Sequence, residues 1–428
     1  MKHFYRLLIN TLVANVTTSF LWFALTFWVY LETENVMLTG ILGGSFMLGI
    51  AATGILFGTL VDKHKKKQVM QWATFVTAAM YAGAAAVYFT HSHSELLNIS
   101  SLWFWLFSIA ILVGGLVENI RNIALSTCVT IMVPAKDRAH ANGLVGMVQG
   151  LAFALTSVFS GLVIGQLGMG WAVGIALALT LYALFDLTFV TINEKHIKHD
   201  PELKAAIDIK GAWKAIRAVP GLLALILFAT FNNLIGGVYM TLLDPYGLTL
   251  VPVETWGIIL AVVSFGFVFG GMVVAKKGLG PRPLRILLLV NIAISGVGMF
   301  MAIRESIWLL IIGLFIYFSL FPVAEAAEQT TLQKVVPVEK QGRVFGFGQS
   351  VEATAAPVTA FAIGPLAQHL IIPYMNGDGE QQFSWLLGTG EARGIALLFL
   401  ASGLILVFVT IAAFYSRSYK RLSQAYER

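Results

Sequence analysis

"GTLVDKHKKKQVM" runs from Gly58 to Met70. Upstream, between Leu7 and Val61, only Glu32 and Glu34 are charged. Six residues able to carry charge then follow in a row, Asp62 to Lys67, and an apolar run resumes at once. A short, mostly cationic loop between two apolar segments, each long enough to cross a bilayer, is the pattern of a multi-pass membrane protein. Asp62, the one acid leading the loop, is not explained by that pattern.

Composition agrees along the whole chain. Hydrophobic residues are 57% of the 428 and charged ones only 12%, against about 25% charged in soluble domains. The first apolar run, Leu7 to Leu31, is too long for a signal-peptide core and lacks a small-residue cleavage site, so it reads as a retained helix. The net charge of +6 comes from loop residues beside apolar runs, which points to membrane orientation and not to nucleic acid. The single cysteine, Cys128, excludes an intramolecular disulfide and a cysteine-based metal site.

Apolar spans are expected near 7–31, 36–61, 69–90, 102–130, 142–166 and 171–191, then near 220–243, 255–275, 285–303, 306–332, 345–369 and 393–415. The longest polar stretch, residues 192–219, is amphipathic and Lys-rich and reads as a linker on the membrane surface. This predicts an all-α integral membrane protein with twelve transmembrane helices in two six-helix bundles, 1–191 and 220–428. Placing both termini, the linker and every even-to-odd loop on one side gathers 25 of the 28 Lys and Arg residues there. That side is then cytoplasmic, with Arg121, Arg304 and Arg393 as exceptions. The loop lysines, including Lys63, Lys66 and Lys67, would anchor at anionic lipid headgroups.

"VPAKDRAHANGLVGMVQG" (Val133–Gly150) follows the fourth span and "VPVEKQGRVFGFGQS" (Val336–Ser350) follows the tenth. Both pass from Val-Pro through a basic patch to a glycine-dotted segment with a Gln, Gln149 or Gln349. A six-helix half used twice is a transporter plan, with substrate held near the midplane where the repeats meet.

The Gly58-x-x-x-Asp62-Lys63 start, with bases ending at Lys67, resembles the loop between helices 2 and 3 of the major facilitator superfamily, and the likeness covers nearly the full length. Lys65 and Lys66 stand where that loop usually has Gly and Arg. The later "GGMVVAKKGLGPRPLR" keeps Gly271 and the bases but lacks the acid. "QGRVFGFGQSVEATAAP" is similar to a subgroup of drug and macrolide efflux proteins that includes siderophore exporters. The resemblance implies pseudo-symmetric six-helix bundles that rock in alternating access, a monomer, no cofactor and small-molecule export coupled to protons. It further implies that Asp62 docks against the start of the eleventh helix, near Gly342 to Phe345, as part of a gate. The alternative for Asp62 is a solvated carboxylate paired with Lys65 or Lys66.

Ionisable residues inside spans cost about 2.5–3.5 kcal/mol each on insertion scales and are functional candidates. Glu118 and Arg121 stand three apart on the fourth span and can pair; the pair is either structural or able to exchange a partner for a proton or a substrate group. Glu325 and Glu328 also share one helix face, and two neighbouring carboxylates favour holding a proton. Glu325 is the first choice for proton coupling, Glu352 the second and Asp186 a third. Glu328 could instead pair with Lys334. Asn119, Asn122, Gln149, Asn232, Asn233 and Trp22, with Arg121, are candidates for lining the substrate cavity. The amides, with Asn10 and Asn15, could equally be helix–helix hydrogen bonds. Gly40, Gly44, Gly49, Gly54 and Gly58 form a small-residue stripe, a packing signal.

His91, His93 and Glu95 read as a solvated outer loop and not as a metal site. The sequence has no phosphate-binding Gly-Lys-Ser/Thr loop and no hydrolytic triad, so it reads as a transporter and not an enzyme. The expected cargo is a small amphiphilic compound of drug or macrolide type, exchanged for protons. Two other readings stay open: a siderophore or metabolite exporter, and an uncoupled membrane protein such as a lipid scramblase or sensor.

Overall fold

The structure, a computed structural model of the chain, describes residues 2–33, 36–192, 194, 208–390 and 392–427. Part of the expected surface linker, residues 193 and 195–207, lies outside the described residues. Among the described residues, twelve helices are long and apolar enough to span a bilayer. They are α1 (Lys2–Thr33), α2 (Val36–Lys63), α3 (Lys66–Thr90), α4 (Leu102–Met132), α5 (Arg138–Gln166) and α6 (Met169–Thr188). The rest are α7 (Leu222–Leu248), α8 (Val253–Lys277), α9 (Pro283–Phe300), α10 (Ile307–Val335), α11 (Val338–Leu366) and α12 (Arg393–Tyr415). Each coincides with one expected span. Most run a few residues further, because a helix continues past its apolar stretch while its backbone can still pair.

The breaks have local causes. Gly168, at φ 83°, turns the chain between α5 and α6, and its N–H bonds the Val163 carbonyl at 2.9 Å. That left-handed conformation costs a residue with a Cβ and is open to glycine. α4 is interrupted at Asn119, whose N–H reaches back only three residues, to Leu116 at 3.2 Å. Such tight turns inside a helix often mark functional positions.

The chain packs as two compact units. The first comprises Met1–Arg138, Leu151–Ala215 and Val336–Ser350; the second comprises Ala139–Gly150, Ile216–Val335 and Val351–Arg428. Each holds an apolar core. In the first, Leu21, Tyr81, Phe104 and Phe107 pack with Met169 and Val173. In the second, Tyr239, Tyr246, Trp256 and Leu314 pack with Phe399. Residues 139–150, within α5, and 336–350, which run into α11, each belong to the unit opposite their sequence neighbours, so a unit boundary falls inside each of these two helices.

Glycines allow this. In the first unit, Gly54 and Gly58 of α2 cross Gly342 and Gly346 of α11. A Cβ on Gly58 would collide with the Gly342 carbonyl, and one on Gly346 with the Gly54 carbonyl. In the second unit, a Cβ on Gly143 of α5 would lie 2.6 Å from the Ala275 nitrogen, and one on Gly271 of α8 would lie 2.6 Å from the Met147 nitrogen. Small residues let helix backbones approach closely where lipid gives no hydrophobic drive to pack. Gly58→Leu is therefore expected to separate α2 from α11 and lower the unfolding temperature in detergent by several degrees. Gly83→Leu, where nothing lies within 4 Å of an added Cβ, should leave it unchanged. Equal melting of the two variants would remove this account of the crossing.

Candidate functional site

Asp62 lies in the last turn of α2, and its side chain faces inward. It is 1% exposed. Its Oδ1 accepts from the Gly342 N–H at 2.6 Å, and its Oδ2 accepts from the Arg343 N–H at 3.0 Å and Arg343 Nε at 3.1 Å. The carboxylate thus sits over the first turns of α11, where aligned backbone dipoles favour an anion. Arg343, 4% exposed, extends the chain of charges: its Nη1 donates to Asp208 Oδ2 at 2.7 Å. Asp62 therefore does not pair with Lys65 or Lys66. Lys63 is exposed and Lys67 half-buried. The Lys67 ammonium donates to the Thr188 carbonyl at 2.7 Å. Lys66 is buried, and Glu194 accepts from the Lys66 and Lys67 N–H groups at 3.0 and 3.3 Å, capping the start of α3.

The charges of α4 and α6 join one network in the first unit. Arg121 is fully buried and Glu118 is 3% exposed. Arg121 Nε donates to Glu118 Oε1 at 2.6 Å, Nη1 to Asn10 Oδ1 at 2.7 Å, and Nη2 to the Thr74 hydroxyl. Asn10 Nδ2 donates to Asp186 Oδ2 at 2.9 Å, and Arg6 Nη2 pairs with Asp186 Oδ1 at 2.6 Å. Two acids and two arginines thus share a bridge of amide and hydroxyl groups. Glu118 Oε2 is the one oxygen of this network that is buried with no partner.

Amides of three helices form a second cluster. Asn15 Nδ2 donates to Asn122 Oδ1 at 3.3 Å, and Asn122 Nδ2 donates to Asn119 Oδ1 at 3.1 Å. Gln349 Nε2 of α11 donates to the same Asn119 oxygen at 3.3 Å. Asn119 Nδ2 and Gln349 Oε1 stay buried and unpaired, as does Trp22 Nε1. Trp22 stacks on Phe46 with ring centroids 5.4 Å apart.

The second unit holds the remaining candidates. Gln149 of α5 and Glu325 of α10 face each other. With the amide nitrogen turned toward the carboxylate, Gln149 donates to both Glu325 oxygens, at 3.0 and 3.2 Å. Glu328 and Glu352 interact electrostatically with Glu325, so three carboxylates of α10 and α11 lie in one region. Among the described residues, none of the three forms an ion pair. Lys334 does not neutralise Glu328: its ammonium lies 4.3 Å over the Tyr426 ring of the C-terminal helix. Pro322, one turn before Glu325, cannot donate to the Phe318 carbonyl, and Gly146 packs against its ring. Asn232 and Asn233 lie half-buried on α7.

The other two arginines outside the basic side are accounted for locally. Arg393, 1% exposed, donates to Glu305 Oε1 at 3.1 Å, to the Leu387 carbonyl at 2.8 Å and to the Tyr246 hydroxyl at 3.1 Å. Arg304 donates to the Leu386 and Trp385 carbonyls. In the His91–Glu95 loop, Ser92 caps the helix His93–Leu97 and Glu95 completes the capping box, and its hydrogen bonds from Ser92 hold its carboxyl below the usual range. His93 Nε2 lies 3.3 Å from Glu32.

Asp208 and Glu194 are not marked by the sequence, and Arg343 falls only within the stretch Gly342 to Phe345 to which the resemblance points. Each looked like a loop charge, and nothing local marks which loop charge a tertiary contact will bury. The Gly-Arg at 342–343, at the start of the eleventh span, is the one available signal.

Twelve apolar helices in two units, with charge networks buried inside the spans, define a multi-pass α-helical membrane protein. Residues 7–360 match the Major Facilitator Superfamily. The chain belongs to this superfamily of membrane transporters. An enterobactin exporter of Shigella flexneri is 23% identical over 380 residues, covering 87% of this chain and 82% of that protein. That of Salmonella typhi is 21% identical over 332 residues, covering 76% and 75%. In fold, the chain is similar to a bacterial homologue of the iron transporter ferroportin in its outward-facing state, with TM-score 0.71, 14% identity and coverage of 97% and 100%. A proton:xylose symporter gives TM-score 0.66 at 13% identity, covering 99% and 98%.

Proposed function

We propose that this transporter is a secondary exporter of a small amphiphilic organic compound, driven by proton entry and cycling by alternating access. It would sit in the cytoplasmic membrane with both termini inside. The observation that carries the coupling is the cluster of Glu325, Glu328 and Glu352, which forms no ion pair among the described residues. Buried carboxylates close together and without a cation favour taking up a proton, and a site that binds and releases one can couple its passage to a change of state. By contrast, Glu118 and Asp186 already have arginine partners, which supports a structural role for them.

For the cargo, the relatives named as enterobactin exporters favour a siderophore-type compound over a drug or macrolide. The amide cluster of Asn15, Asn119, Asn122 and Gln349 suits a cargo rich in hydrogen-bonding groups. Proteoliposomes with an imposed pH gradient test both points. Gradient-driven accumulation of a siderophore, at a rate above that of a fluorescent amphiphilic cation, is expected. Transport of either cargo at the same rate with and without the gradient would remove proton coupling and leave the uncoupled reading.

Asp62 is proposed as a gate residue, joining α2 to the first turns of α11 in one state and releasing them in the other. Asp62→Asn keeps the acceptor oxygen for Gly342 but weakens the Arg343 contact. It is expected to slow transport about tenfold, the effect of losing one charge-assisted hydrogen bond, with normal insertion and folding. Wild-type transport by this variant would sink the gating role.

A further inference from the structure

We infer that the linker helix Ile209–Ala218 clamps the start of α11, with Asp208 and Trp213 acting as positioning residues for the Asp62 contact. This rests on the gating role given to Asp62 above. Asp208 opens the linker helix and does two jobs there. Its Oδ1 accepts from the Gly211 N–H at 2.7 Å, capping the helix, while its Oδ2 holds Arg343 Nη1 at 2.7 Å. Its own N–H bonds Thr59 Oγ1 of α2 at 3.2 Å. One residue of the linker is therefore fixed to both helices that Asp62 joins.

A second, apolar contact lies one turn along each helix. Trp213 meets Phe347, with ring centroids 6.2 Å apart. Arg343 and Phe347 are four apart and share one face of α11, and that face is gripped through one ion pair and one aromatic pair. Arg343 is thereby held between two acids, Asp62 through Nε and Asp208 through Nη1. With Nη1 committed to Asp208, the planar guanidinium keeps Nε directed at Asp62. Releasing α11 from α2 then requires the linker to let go as well.

The other described linker anchor, Glu194, binds the start of α3 and touches neither Arg343 nor Phe347 in this network. It supplies the control. The reporter is Ser350→Cys in a Cys128→Ser chain. Ser350 is 8% exposed and its hydroxyl accepts from the Ile55 N–H at 3.1 Å, inside the α2–α11 crossing. A membrane-impermeant maleimide should reach this cysteine only when the crossing opens.

Labelling is measured on the full chain in proteoliposomes, with no cargo present. Asp208→Asn is expected to raise the labelling rate about tenfold, by loss of one charge-assisted contact. Trp213→Ala should raise it too, and Glu194→Gln should leave it unchanged. Asp208→Asn combined with Arg343→Gln should label no faster than Arg343→Gln alone, since the two act through each other. Unchanged labelling in both Asp208→Asn and Trp213→Ala would overturn the clamp. So would an equal rise in Glu194→Gln, which would mean that any loosening of the linker suffices. Asp62→Asn separates the two ideas: if it leaves labelling unchanged while Asp208→Asn raises it, the Asp62 gate and the positioning role fail together, and only the direct hold of the linker on α11 through Arg343 remains.

Discussion

Replacing Arg121 by Gln is expected to cost about 3–5 kcal/mol of stability, the typical penalty for breaking a buried ion pair from one side. The side chain is fully buried and its three donor nitrogens all have partners: Glu118, Asn10 and Thr74. Removing it leaves the Glu118 carboxylate inside the span without its cation, with Oε2 already unpartnered. Asn10, which connects this pair to Asp186 and Arg6, would lose its acceptor role as well. The double change Glu118→Gln with Arg121→Gln should recover most of the loss, because neutralising both partners leaves no uncompensated charge. Unfolding in denaturing detergent, followed by circular dichroism, compares the three variants with wild type. An Arg121→Gln protein that unfolds like wild type would show that this network contributes nothing to the fold, and would return Glu118 to the proton-coupling candidates.

The second large effect is expected at Glu325. Glu325→Gln should reduce gradient-driven accumulation of cargo at least tenfold while leaving exchange of cargo across the membrane without a gradient. A glutamine there is permanently neutral, so it mimics the proton-loaded carboxyl and cannot release a proton. Gln149 supplies a matching test. It donates to both Glu325 oxygens, contacts that favour the charged carboxylate. Gln149→Leu removes them and should lower gradient-driven accumulation as Glu325→Gln does, while leaving exchange intact. If Glu325→Gln keeps full accumulation, the coupling site belongs to Glu328 or Glu352, which share the region. Loss of exchange together with accumulation would point instead to a packing role for Glu325.

Much of the architecture was legible without coordinates. Span number follows from runs of apolar residues long enough for a bilayer, which is a sum over local sequence and needs no knowledge of what packs on what. The three arginines that broke the charge asymmetry mark something else. Arg121, Arg304 and Arg393 each satisfy carboxylates or backbone carbonyls inside one unit. Their apparent exceptions to the loop rule are therefore contacts within the protein.

The sequence by itself determined twelve helices, the paired six-helix plan, the buried position of Glu118–Arg121 and the presence of two acids on one face of α10. It also marked Asp62 as the odd charge of its loop. The tertiary structure alone decided which of these charges are neutralised. Helix periodicity fixes which residues share a face, but the partner of a face depends on which helix lies across from it. So Asp186 meets Arg6 across 180 positions of sequence, and Asp62 meets Arg343 across 281. Glu325 instead meets an uncharged amide, Gln149. A buried charge with an opposite charge beside it is neutralised by that contact, and one beside an amide is not. That distinction is set by contacts far apart in the chain, and no local pattern encodes it.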